Sequence, residues 1–177
     1  MILDVEKSLV LIIDVQEKLL NAVFNKDIVE KKSKILVKAA SLLDVPIIIS
    51  EQYPKGLGES IDGVKNSGHT FTKTSFNALC NNDLKKCIEE KKKKSIIVCG
   101  IETHICVYQT VIDLIKRDFD VTLVLDACGS RSFEEYNSAL SLMQNYGAKI
   151  KTTEMILFEW LKTSNHEKFK EIQALIK

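Results

Sequence analysis

Residues 95–126 read SIIVCGIETHICVYQTVIDLIKRDFDVTLVLD. Two β-branched runs, 95–100 and 121–126, flank a stretch whose apolar residues Val107, Val111, Leu114 and Ile115 recur at helical spacing, so the segment reads as strand, helix, strand. A helical crossover of this length joins parallel strands. Working outward, residues 8–14 form a first strand, and residues 27–43 form a helix with Ile28, Ile35, Leu36, Ala39, Leu42 and Leu43 as its apolar positions. The helix stops before Pro46, because the residue preceding a proline avoids the helical region. Residues 46–50 are a second strand. Residues 51–68 carry Pro54, Gly56, Gly58, Gly63 and Gly68, which marks a long surface loop of the kind that often carries function, and residues 71–73 rejoin the sheet.

A lysine-rich helix ends near Lys94; beyond residue 126 come a helix through Leu140 and Met143, a strand at 148–152, and terminal helices at 155–161 and 166–176. The alternation predicts an α/β protein with three α/β/α layers around a mainly parallel, doubly wound sheet. Sites on such sheets lie at the carboxyl ends of the strands, which selects Asp14, the stretch 50–52, the stretch 100–106 and Asp126. The length of 177 residues fits one domain, 1–177, and no repeat is visible.

Hydrophobic residues make up 45% and charged residues 28%, with 2 Pro and 7 Gly, which excludes collagenous and disordered classes. A formal net charge of +1 gives no global attraction to nucleic acid or anionic membrane. No apolar run approaches the roughly 20 residues of a membrane helix. The N-terminal stretch, acidic from Asp4, lacks the features of a secretory or transit signal, so the expected location is cytoplasmic. Cys80, Cys87, Cys99, Cys106 and Cys128 are odd in number and contain no C-x-x-C pair, which argues for reduced thiols rather than a disulfide framework or a cysteine zinc site.

Cys106 follows the turn after the 95–100 strand, at the opening of a helix whose free amides and dipole favour an anion; that position should depress a thiol pKa. It lies off the apolar stripe of its helix, on the side of Thr110, Asp113 and Arg117. An inert buried thiol is the competing reading. Asp14 ends an apolar strand, where an acid must be paired, capped or facing a site. Lys73 follows the glycine-rich loop and reads from composition as a surface lysine. Converging at strand ends, the three would form a nucleophile, a cation that stabilises its thiolate and a proton acceptor.

Several segments in order, LVLIIDVQEKL, PIIISEQYPKGLG, FTKTSF, IIVCGIETHICVYQT, DACGSR, TTEMILFEWL and FKEIQALIK, resemble the isochorismatase-like cysteine hydrolases, most closely their eukaryotic isochorismatase domain-containing members. The resemblance covers nearly the whole chain and implies the isochorismatase-like hydrolase fold, a parallel doubly wound sheet. It implies a catalytic triad of Asp14, Lys73 and Cys106, a cis peptide at Ile101-Glu102, and an oxyanion hole from the backbone amides of Glu102 and Cys106. Where nicotinamidases of this superfamily carry an Asp-x-His metal motif, this chain has Ser50-Glu51-Gln52-Tyr53, and His69, His104 and His166 are scattered, so no catalytic metal and no cofactor are expected. Isochorismatases proper lack the nucleophilic cysteine, so Cys106 points to an amide, carbamoyl or related acyl substrate.

Gln52 and Tyr53 open the long loop and are either pocket-lining, substrate-binding residues or a plain turn. Glu102 and His104 flank the nucleophile turn. Asp126 and Arg131 are expected to organise the following loop, with Asp126 capping backbone amides. The leading expectation is a cysteine-dependent hydrolase of a small molecule acting through a thioester. Alternatives are a catalytically idle binding or assembly module, a nucleic-acid-processing protein supported only by the run 91–94, and a thiol redox sensor. Phe158, Trp160 and Phe169 either serve a homo-oligomeric contact, common in the family, or pack on the chain's own sheet.

Overall fold

The strand SLVLII, β1 (Ser8–Ile13), is buried at every position, which requires cover on both faces and therefore a central place in a parallel sheet. The computed structural model describes residues 2–177. Met1, the first residue of the N-terminal stretch read for a targeting signal, lies outside them. After β1 the chain runs through α1 (Glu17–Leu20), α2 (Lys26–Leu42), β2 (Ile47–Gln52), α3 (Pro54–Leu57), β3 (His69–Lys73), α4 (Asn82–Glu90) and β4 (Ser95–Ile101). It continues through α5 (Tyr108–Lys116), β5 (Asp120–Gly129), α6 (Phe133–Asn145), β6 (Lys149–Lys151), α7 (Thr153–Leu161) and α8 (Phe169–Ile176).

The sheet order is β3-β2-β1-β4-β5-β6, and all pairings are parallel. From β1 the chain winds outward through β2 to β3, then returns to β4 on the other side of β1. The connections of β1 and β4 thus diverge, which opens a crevice at their carboxyl ends. α2 packs with α7 and α8, and α5 with α6; these helices form the layers on either side of the sheet. The α/β/α architecture read from the alternation is the observed one.

Local differences have physical causes. β5 extends to Gly129, beyond the expected 121–126, because a register shift against β4 between Val98 and Gly100 lets pairing resume at Gly100 and Ile101. Where the apolar stripe predicts one helix between the strands 95–100 and 121–126, the chain forms a π-helical turn, Thr103–Val107, followed by α5. Within 51–68, β2 continues through Gln52 and a single helical turn, α3, follows. Trp160 is buried in the chain's own core and its indole N–H donates to Ser8 Oγ at 3.1 Å, so it is not available to a partner. Phe158 remains exposed, edge-on to Phe169.

At the crevice β1 and β4 meet closely at Gly100, whose φ is +139° and where a Cβ would lie 2.0 Å from the carbonyl oxygen of Ile13. Only glycine fits that approach. Gly100→Ala is expected to cost about 3 kcal/mol or more of stability, combining backbone strain with overpacking. Chemical denaturation of the variant checks this; an unchanged midpoint would contradict it.

Candidate active site

Asp14 is the first residue past β1 and has a φ of 53°, a left-handed conformation that aspartate tolerates better than most residues. Its amide donates to the carbonyl of Ser50 at 3.0 Å. The turn leaves its carboxylate fully buried at the mouth of the β1–β4 crevice. Oδ1 accepts a hydrogen bond from Ser50 Oγ at 2.7 Å, and Oδ2 accepts one from Lys73 Nζ at 2.7 Å. The side chains of Lys73 and Asp14 are only 1% and 0% exposed. Composition alone read Lys73 as a surface lysine; its place on the last residue of β3 instead turns it inward.

The ammonium of Lys73 donates to three acceptors: Asp14 Oδ2, Gln52 Oε1 at 2.7 Å and the carbonyl of Ser75 at 3.1 Å. A buried ion pair recovers its desolvation cost only when the remaining polar capacity is satisfied, and here Ser50, Gln52 and Ser75 satisfy it. Gln52 also donates through Nε2 to the carbonyl of Thr74 at 2.8 Å. Its amide group is thus occupied by protein partners. Gln16 holds the backbone of Gln52 from both sides, accepting from its N–H at 2.7 Å and donating to its carbonyl at 3.0 Å.

No sequence signal singles out an individual role for Gln16, Ser50 or Ser75. Ser50 falls in the strand-end stretch 50–52, and Gln16 follows Asp14 by two residues in LIIDVQ. Nothing in periodicity says that Gln16 reaches across to the end of β2.

Cys106 lies in the π-helical turn after β4 and is 6% exposed. Thr110 Oγ1 caps its carbonyl at 2.7 Å. Both Asp14 and Lys73 lie close enough to its thiol to act on it electrostatically, so the three residues converge. The expected depression of its pKa is reversed: burial, then the Asp14 charge, push the thiol up to about 12, against the opposing pull of Lys73. The Lys73 cation is already matched by Asp14 at 2.7 Å. The resting group is therefore a neutral thiol beside a carboxylate.

The Ile101–Glu102 peptide bond is cis, and the carbonyl of Glu102 accepts from the amides of Ile105 and Val107 in the turn. The Glu102 side chain takes a hydrogen bond from Arg131 Nε at 2.8 Å. His104 Nδ1 lies 3.0 Å from Ser130 Oγ. Asp126 accepts from the backbone N–H of Thr153 at 2.7 Å and from its hydroxyl at 2.8 Å, a capping role at the start of α7. Cys128, like Cys99, is buried in the core and lies close enough to it for the two thiols to interact electrostatically.

Tyr53 stands at the end of β2 with a φ of 36° and is exposed. With Pro54, Lys55, Thr72, Thr74, Ser75, Cys80 and Asn81 it lines a cavity of about 610 Å³ whose wall includes Lys73. Asp14 and Cys106 lie behind Lys73, outside that lining. Among the described residues, no group of three or more His, Cys, Asp or Glu side chains is placed to hold a metal ion.

The isochorismatase domain family matches residues 8–155. The chain belongs to the isochorismatase family. Isochorismatase domain-containing protein 2 of Xenopus laevis is 40% identical over 178 residues, covering 97% of this chain and 84% of that protein. Among solved structures, the MAR1 ribonuclease of Caenorhabditis elegans superposes with a TM-score of 0.92 at 34% identity, covering 98% of this chain and 91% of that one. The YcaC gene product of Escherichia coli, an octameric hydrolase of unknown specificity, superposes with a TM-score of 0.88 at 25% identity, covering 98% and 94%. Family membership agrees with a hydrolase fold whose crevice holds the residues above. No helix among the described residues is long and apolar enough to cross a membrane.

Lys73→Met leaves the Asp14 charge buried without its partner and is expected to cost about 3–5 kcal/mol. Adding Asp14→Asn should recover part of that loss, and denaturant titration of the single and double variants measures the coupling. A second expectation concerns pH. Cys99 and Cys106 hold their protons up to about 12, while unfolded thiols titrate near 9.0, so above that value the folded state binds more protons. Unfolding free energy should fall as pH rises from about 9 toward 12. Cys106→Ala should flatten the fall; equal slopes in the two proteins would count against the buried neutral thiol.

Proposed function

We propose that the chain is a cysteine-dependent hydrolase of a small amide, carbamoyl or related acyl compound, with Asp14, Lys73 and Cys106 as its catalytic triad. The observation that carries this reading is the buried Lys73–Asp14 pair, 2.7 Å apart, with the Cys106 thiol within electrostatic reach of both. A structural thiol needs no such partners, and a structural ion pair needs no thiol between strand ends.

In this mechanism Asp14 takes the proton from Cys106 Sγ as the sulfur attacks the acyl carbon. The negative charge passes to the acyl oxygen, which the backbone amides of Glu102 and Cys106 stabilise. Collapse breaks the carbon–nitrogen bond, and the proton on Asp14 goes to the departing ammonia or amine. Water then attacks the thioester, giving one proton to Asp14 and thence to the sulfur, so acid leaves and the thiol is restored. Lys73 orients the Asp14 carboxylate and balances its charge throughout. Gln52 fixes Lys73, and Tyr53 flanks the adjoining cavity as a substrate-binding residue.

Five free thiols fit a reducing, cytoplasmic setting. The octameric state of the Escherichia coli neighbour supports self-association of this chain. The worm neighbour's ribonuclease role raises nucleic acid as a second substrate class. A net charge of +1 and a nucleophile only 6% exposed favour a small molecule instead. Among small amides, ureido compounds and RNA, the expected result is release of ammonia or amine from a small amide or ureide and no RNA cleavage. Cys106→Ala and Asp14→Asn should lower that turnover by about a thousandfold or more while circular dichroism stays unchanged. Turnover retained in Cys106→Ala would sink the reading.

A further inference from the structure

β4 and β5 run side by side to their ends, where Ile101 pairs with Gly129. Glu102 is the next residue after β4, and the loop after β5 opens with Ser130 and Arg131, so the two loops leave the sheet as neighbours. Side chains join them at two points. Arg131 Nε donates to Glu102 Oε1 at 2.8 Å, and His104 Nδ1 lies 3.0 Å from the Oγ of the fully buried Ser130. Arg131 Nη2 lies 3.4 Å from His104 Nε2, and Glu135 Oε2 lies 3.5 Å from that same nitrogen. The guanidinium thus reaches both residues that flank Thr103, with its Nε directed at the Glu102 carboxylate.

Arg131 takes no part in the proposed mechanism, but that mechanism forms an oxyanion near a carboxylate. The Glu102 amide is one of its two proposed oxyanion donors. The carboxylate hangs from the same residue, at most about 5 Å from the amide nitrogen by bond lengths. An oxyanion about 3 Å from that nitrogen therefore forms within roughly 8 Å of the carboxylate, about one Debye length at physiological ionic strength. The Glu102 side chain is only 15% exposed, so water screens its charge poorly. Two negative charges at that separation oppose each other, and oxyanion formation is the step that suffers. The sulfur is differently placed, since the charges bearing on the Cys106 thiol are chiefly those of Asp14 and Lys73.

We infer that Arg131 is a positioning residue of the oxyanion hole: by neutralising the Glu102 carboxylate, it lets the Glu102 amide stabilise the negative charge that forms on the acyl oxygen. The oxyanion itself rests on the proposed hydrolase reading, and the charge balance rests on the Arg131–Glu102 pair. Arg131 is 57% exposed and holds little of the core together, so its charge, not its packing, is what it contributes. A purely structural clasp behaves differently, because removing both partners of a clasp does not restore the turn.

The test compares two probes of Cys106, p-nitrophenyl acetate and iodoacetamide. Acetylation forms the sulfur–acyl bond, passes the thiol proton to Asp14 and releases p-nitrophenolate by way of an oxyanion. Alkylation forms a sulfur–carbon bond, gives up the same proton and releases iodide with no oxyanion. Both rates are measured on the full chain, with the modified residue identified by peptide mass and folding of each variant checked by circular dichroism. Arg131→Met is expected to slow acetylation of Cys106 by about tenfold while alkylation changes by less than about twofold. Adding Glu102→Gln should restore acetylation to within about threefold of wild type, because the uncompensated charge is gone. If Arg131→Met slows both reactions alike or slows neither, or if the double variant stays as slow as Arg131→Met, the role of Arg131 is overturned while the hydrolase reading stands on the acetylated wild type. If the wild type is alkylated at Cys106 but never acetylated there, the hydrolase reading loses its support and the role of Arg131 falls with it.

Discussion

The ion pair between Lys73 and Asp14 is the constraint around which the crevice is arranged. Two opposite charges with 1% and 0% exposure are tolerable only where their remaining hydrogen-bonding capacity is met. Ser50 on Asp14, and Gln52 and Ser75 on Lys73, meet it. The pair and these partners come from the ends of β1, β2 and β3 and from the residues just beyond β3, so they tie the carboxyl ends of three strands, one half of the sheet, together. The other half contributes Cys106 through the turn after β4. Close contact between the halves depends on Gly100, which lets the backbone of β4 approach Ile13.

That arrangement decides the chemistry of the thiol. A free lysine beside a cysteine would favour a thiolate. Here the lysine is already neutralised by a carboxylate, and burial dominates, so Cys106 rests protonated with its pKa pushed up to about 12. The nucleophile is consequently formed only when Asp14 removes its proton as the substrate is attacked. An apolar, protonated resting thiol also resists unwanted alkylation and oxidation, because the thiolate is the reactive form. In keeping with that burial, the cavity beside Lys73 does not include the sulfur in its lining.

Much of the fold is legible in the sequence because parallel strands buried on both faces write continuous apolar runs, as in 9–13 and 96–99. The end of β5 is not, since Asp126 and Gly129 break the run and pairing continues only through a register shift. The π-helical turn at Thr103–Val107 is equally silent, because Val107, Val111 and Leu114 keep an ordinary helical stripe beyond it. Of the site, Asp14 and Cys106 stand out at strand ends, whereas Lys73 is one of 25 basic residues until the sheet order is known. Its inward turn depends on β3 lying beside β2, a contact between residues far apart in sequence. Gln16 has no sequence signal at all, since its role is to brace a backbone across the crevice. Position predicts the wrong sign for the Cys106 shift for a related reason: helix-end electrostatics can be read from position, but desolvation cannot.

The most direct test is the ultraviolet absorbance of thiolate as a function of pH, taken as the difference between wild type and Cys106→Ala under native conditions. The account predicts no thiolate signal from Cys106 at neutral pH and a midpoint displaced upward from the ordinary 9.0 toward about 12. A midpoint below 9.0 would mean that Lys73 serves the sulfur rather than Asp14, and would contradict the account.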